Sequence, residues 1–247
     1  VSAFLTPPSF DRKGAARFLT DRFLRLGIPL TAYFFLLNPT LMYMVLRFSD
    51  PSDILRKLTP NLPPDQTAFV TDIVHRFTAP GGEGIIKFIA ATFPLTCGSG
   101  PLWFVLTLLL FALAYTAVRA FPKNPIVRAQ PLPSNGRIAV FVAAIAATNF
   151  LFRIVCPIGW TVPFAGLQLA YFPLYICMYL FGVWAYREHW LDKIGPEHTR
   201  LWFRLALAAI ALMPVVTLAG GAASTGFGAF MGGPTWQSAL NIAMETL

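Results

Sequence analysis

Two arginines three residues apart, Arg22 and Arg25, close the segment Phe10 to Pro29 (FDRKGAARFLTDRFLRLGIP) just before a long apolar run. At helical spacing they share a face, and two guanidiniums side by side present forked donors that suit a phosphate. The same pair suits plain anchoring, because cations flanking an apolar run meet anionic headgroups. Spacing leaves both readings open, and Arg17 and Arg119 read more simply as anchors. Asp21 lies four residues from Arg17 and from Arg25 and is expected to pair with one of them. A second candidate is Arg153, which interrupts an apolar stretch four residues after Asn149. The favoured expectation is that it snorkels to cap the outer end of its helix; the alternative is that it projects into a cavity on a substrate path. Trp103 and Trp160 fall near the ends of apolar runs, where an aromatic belt accounts for them, and Trp103 is kept with Arg153 as a substrate-path candidate. His75, His189 and His198 each stand beside charged neighbours and read as solvated. Cys97, Cys156 and Cys177 match no metal or redox spacing and read as buried apolar thiols. No H-E-x-x-H or G-x-S-x-G occurs, and no metal site is expected. The Gly220 to Gly233 stretch (GGAASTGFGAFMGG) lacks the Lys of a phosphate loop and reads as an outer turn or as close helix packing.

The elements that carry these residues follow from the charge pattern. Hydrophobic residues make up 56% of the 247 positions and charged ones only 12%, against about 25% in an average soluble domain. A soluble core has no use for so much apolar surface, so sandwich and barrel folds are excluded and an all-α, polytopic transmembrane bundle is expected. Uncharged gaps run from Leu26 to Leu46, Phe88 to Val118, Ile138 to Phe152, Ile154 to Tyr186 and Leu205 to Met244. They predict about five complete spans, the second from about Pro101, the fourth from about Leu167 and the fifth ending near Ala219, with a sixth beginning near Trp236. Residues 10–29 are expected to form an amphipathic interfacial helix leading into the first span.

Orientation follows from the cations. Residues 1–25, 119–137 and 187–204 carry the whole net charge of +8, since Arg153 and Glu245 cancel, and the positive-inside rule places all three segments in the cytoplasm. Residues 47–87 hold five basic and five acidic groups and go outside. The outer segment 48–100 is expected to hold turns at Asp50 to Asp53 and Pro60 to Pro64 around short surface helices, with an interfacial or re-entrant stretch at 85–95. The 119–137 loop, with Pro122, Pro125, Pro131 and Pro133, reads as an irregular linker. No nucleic-acid partner is expected, because this cationic charge belongs to membrane topology.

Several ordered fragments bear a family resemblance. Val1-Ser2-Ala3-Phe4 resembles the end of an F-x-x-S-G-F segment, with Ala3 where glycine is usual; Arg22-Phe23-Leu24-Arg25 and Leu26-Gly27-Ile28-Pro29 resemble an R-x-x-R followed by RLxIP. Gly100-Pro101-Leu102-Trp103-Phe104 resembles hLWFL, and Tyr171 to Leu191 resembles FPxYxxxFxxGxxAxRxxWL. Taken in order, these resemble the acyltransferase-3 family of membrane-bound O-acyltransferases, in particular its branch modifying periplasmic glucans and other surface polysaccharides. The resemblance implies a bacterial inner-membrane enzyme that takes an acyl group from cytoplasmic acyl-coenzyme A, a donor substrate rather than a tightly bound cofactor, and delivers it to a hydroxyl of a carbohydrate or other envelope acceptor. It assigns the R-x-x-R, Arg22 and Arg25, to the donor. It places the family's catalytic histidine in a helix preceding Val1, so 1–247 is expected to be a core fragment of a single membrane-embedded domain, without that helix and without the C-terminal helices, and inactive alone. A secondary transporter, or a non-catalytic translocation or scaffold protein, is the competing class.

Overall fold

The computed structural model describes residues 2–60, 63–79, 81–93, 96–121, 131–163 and 165–247. Val1, part of the Pro60 to Pro64 cluster and the linker stretch with Pro122, Lys123, Pro125 and Arg128 lie outside them. Among the described residues every regular element is helical. In chain order these are α1 (Ser2–Arg22), α2 (Ile28–Ala32), α3 (Asn38–Phe48), α4 (Pro51–Leu58), α5 (Pro64–Thr78), α6 (Ile85–Thr92), α7 (Trp103–Ala120), α8 (Asn135–Val155), α9 (Phe172–Arg187), α10 (Trp190–Lys193), α11 (Pro196–Ala219), α12 (Ala222–Thr225), α13 (Gly228–Met231) and α14 (Trp236–Thr246).

Among the described residues, five helical stretches are long and apolar enough to cross a membrane: Ser2–Phe48, Gly100–Ala120, Asn135–Val155, Leu169–Arg187 and Pro196–Ala219. They overlap the five charge gaps, and α14 lies where the sequence suggests a sixth span. Their large side chains remain open to the surroundings, with Val140 71% and Leu212 54% exposed, as a lipid solvent permits. Several boundaries move outward from the charge gaps. Helix α8 runs past Arg153 to Val155, and α11 starts at Pro196, well before Leu205, taking Glu197, Arg200 and Arg204 into its first turns.

The first span is the least regular. Gly14, with φ 72° and ψ 167°, breaks α1, so residues 10–29 do not form one uninterrupted amphipathic helix. Two π turns, Phe23–Gly27 and Tyr33–Leu37, lie between α1 and α3.

Contacts divide the chain into two units. The first holds residues 1–21, 110–162 and 168–247; its packing is led by α14 against α8, with further contacts of α8 with α9 and of α11 with α14. The close approach of these elements uses glycine: a Cβ at Gly220 would meet Phe230 Cζ at 2.5 Å, and one at Gly232 would meet Pro157 Cβ at 2.6 Å. Of the two expectations for the glycine-rich stretch, these two positions follow close packing.

The second unit holds residues 22–109 and 163–167. Residues 48–100 form more than a set of surface helices, because α5 and α6 enclose with α3 a core of Leu46, Ile73, Val74, Phe77 and Phe88. Asp50 caps α4 by accepting from the Ser52 amide at 2.8 Å, and Arg47 caps the end of α5 by donating to the carbonyls of Thr78 and Ala79 at 2.9 and 2.8 Å. The stretch that leads into α7 is pinned by Asn38, whose amide donates to Thr96 O at 2.8 Å, and by Ser99, whose hydroxyl donates to Ala165 O at 2.6 Å. Gly100, at φ +45°, lies so near Tyr33 that a Cβ would stand 2.6 Å from its hydroxyl oxygen. Cys97 is buried there, and burial pushes its thiol up; Cys156 and Cys177 are half-buried, and all three thiols are free.

Candidate functional site

In the second unit, Arg22 is the last residue of α1 and Arg25 lies in the π turn that follows. Arg22 is half-buried and Arg25 exposed. The i→i+5 pattern of a π turn is wider than that of an α-helix, so the pair spreads further around the axis than straight helical spacing predicts. The structure gives Asp21 an ion pair with Lys13, across the break at Gly14. Trp103 opens α7, half-buried, with its ring edge-on to Phe104 at 6.3 Å.

The first unit holds a polar cluster. Arg153 is fully buried, so it does not snorkel to the helix end. Its Nη2 donates to Glu245 Oε1 at 3.0 Å, its Nη1 stands 2.8 Å from Oε2, and its Nε donates to Ala170 O at 3.2 Å. The guanidinium also lies 4.9 Å from the centre of the Tyr171 ring, which stacks with Tyr175 at 6.0 Å. Two helices supply the charges, α8 the arginine and α14 the carboxylate, and this is the best-packed helix pair of the unit. The physical reason is the cost of a lone charge in an apolar interior, which an ion pair with further hydrogen bonds offsets.

The same two helices bury polar atoms that are not paired. Asn149, one turn before Arg153 on the same face, and Ser238 on α14 are both fully buried. Among the described residues, neither atom of the Asn149 amide and not the Ser238 hydroxyl has a hydrogen-bond partner. Such groups cost free energy unless something satisfies them. Each has donor and acceptor capacity for a small polar group such as a hydroxyl or a water molecule.

A family model described as an acyltransferase domain matches residues 1–244, nearly the whole chain. The chain belongs to the acyltransferase-3 family. No curated protein and no solved structure matches it significantly.

Within this acyltransferase the structure brings two of the resembling fragments together. Phe4 meets Tyr186 edge-on at 5.1 Å, and a Cβ at Gly182 would stand 2.7 Å from that of Ala3. Helix α9 therefore needs glycine where α1 crosses it. Of the histidines, His75 lies exposed on α5, His189 occupies the left-handed position after α9 (φ 53°) beside Asp192 at 3.6 Å, and His198 is half-buried on α11. None belongs to the polar cluster around Arg153. Trp160 is 44% exposed in the turn after α8.

The role of Glu245 was visible in sequence only as an isolated acid in an apolar stretch. Two lone opposite charges within apolar stretches are a signal in themselves, since each is costly without the other. Ser238, seven residues before Glu245 and so on the same face, carries no sequence signal of its own.

Proposed function

We propose that the protein is an inner-membrane O-acyltransferase that moves an acyl group from cytoplasmic acyl-coenzyme A to a hydroxyl of a carbohydrate or other cell-envelope acceptor. The observation that carries this reading is the R-x-x-R of Arg22 and Arg25 at the cationic end of the first span, in a chain of the acyltransferase-3 family. Two guanidiniums suit the phosphates of the donor. The acceptor hydroxyl attacks the thioester carbonyl, its proton passes to a base, and the thiolate leaves as the ester forms. His75, His189 and His198 are not assigned to that proton transfer. The acceptor path runs by the buried cluster, where Arg153 and Glu245 are paired and Asn149 and Ser238 keep unspent hydrogen-bond capacity.

Equilibrium binding of acyl-coenzyme A to the purified protein tests the donor assignment. Charge-assisted hydrogen bonds contribute about 1.5–3 kcal/mol each, so the Arg22→Ala/Arg25→Ala double variant should bind about a hundredfold more weakly. Unchanged affinity would remove both residues from the donor site. A buried ion pair also suits a secondary transporter; label transfer to an added acceptor, without net movement of that acceptor across proteoliposomes, separates the two.

A further inference from the structure

The first unit contains a groove between the inner-side halves of α7 and α9 with a volume of about 680 Å³. One end is closed by Phe111 and Tyr179, whose rings lie 4.7 Å apart and whose hydroxyl-to-carbonyl bond spans 3.4 Å. Apolar side chains including Val118, Leu180 and Val183 form the walls. The other end carries Arg119 and Arg187, at the last turns of their helices. From Phe111 to Arg119 the groove runs eight residues along α7, about 12 Å.

The two arginines are differently paired. Arg119 lies 3.5 Å from Asp11, a loose and half-exposed contact. Arg187 donates to the Tyr115 hydroxyl at 3.0 Å, a neutral partner, and among the described residues no carboxylate lies within ion-pair distance of it. Tyr115 is itself held edge-on by Phe10 at 5.4 Å. The result is an apolar slot with uncompensated positive charge fixed at its mouth, on the side that the charge pattern assigns to the cytoplasm.

We infer that this groove is a binding site for an anionic phospholipid, with one acyl chain lying between α7 and α9 and the headgroup phosphate held by Arg119 and Arg187. Charge complementarity selects the occupant: a zwitterionic lipid fills the slot but leaves the net positive mouth unanswered, whereas the anionic lipids of the inner leaflet answer it. The site uses neither Arg22 nor Arg25 and stands whether or not these hold the donor.

Native mass spectrometry of the purified protein, after equilibration with equimolar phosphatidylglycerol and phosphatidylcholine, tests this. Wild type should retain phosphatidylglycerol about tenfold over phosphatidylcholine. Arg119→Gln/Arg187→Gln should bring that preference close to unity, and Arg119→Lys/Arg187→Lys, which keeps the charges, should hold most of it. Val183→Trp, which puts an indole into the slot, should lower retention of both lipids. An unchanged preference in the glutamine variant overturns the site. Stoichiometric displacement of the bound lipid by palmitoyl-coenzyme A overturns the choice of occupant and makes the groove a donor site instead. Loss of donor binding in the Arg22/Arg25 variant with lipid preference intact leaves this inference standing.

Discussion

Arg153 and Glu245 form the one described ion pair in which an arginine is fully buried, and their energetics differ from those of the exposed pairs on α4 and α5. Surface pairs of that kind contribute little. Removing one member of the buried pair strands a charge, so Arg153→Met or Glu245→Gln should each cost about 3 kcal/mol, the lower end of the usual range because the Glu245 side chain is 24% exposed. The double variant should cost less than the sum of the two. Thermal unfolding in detergent of all four species measures this, and strict additivity would show that the pair is not coupled. At the same scale, Gly232→Ala should destabilise by about 1–3 kcal/mol, because its Cβ meets Arg153 O at 2.7 Å as well as Pro157. Gly228→Ala, whose Cβ meets nothing within 4 Å, is its control.

Among the elements, α4 and α9 give different kinds of test. The carboxyl of Asp50 is held below the usual carboxylate range by hydrogen bonds from the Ser52 hydroxyl and backbone amide. A folded-state value below the unfolded one means that the cap contributes fully above about pH 3.9 and is lost as pH falls through the lowered value. Amide exchange in residues 51–58 should therefore accelerate in strong acid, and Asp50→Ala should abolish the acid-dependent step. On α9, Gly182→Leu should disrupt the seat of Ala3 and lower the unfolding temperature, and Ala3→Gly should recover part of the loss if the contact is the cause. The elements themselves were largely legible from charge gaps, because a span must be apolar whatever it packs against. Their ends were not. Helix α11 begins at Pro196, since long cationic side chains such as Arg200 and Arg204 extend away from the apolar zone and proline suits a first turn. Arg153 stays within α8 because Glu245, 92 residues away, neutralises it. Gly14 was legible as a residue but not as a break, because glycine marks a permitted φ, not an adopted one. Within the candidate site, Arg153 and Asn149 could be named from sequence, whereas their unpaired or paired state depends on α14.

For the whole molecule, the decisive property is how the chain threads a bilayer. The net charge of +8 falls in residues 1–25, 119–137 and 187–204, so reporter fusions at residues 121 and 195 should both read as cytoplasmic and one at residue 60 as exported. An exported reporter at 121 would overturn the orientation, and with it the inner-side placement of Arg22 and Arg25. The first span carries a further consequence through its two π turns at Phe23–Gly27 and Tyr33–Leu37. Each accommodates one surplus residue relative to an α-helix, and one α-helical residue corresponds to about 100° of rotation. Deleting a single residue from the second turn lets that stretch wind back to regular pitch, like moving a vernier by one notch. Because the turn has absorbed that residue by under-winding, Arg22 keeps its azimuth and everything after Asn38 keeps its seat, whereas a deletion from the regular stretch Ile28–Ala32 would swing Arg22 by about 100° without altering its chemistry.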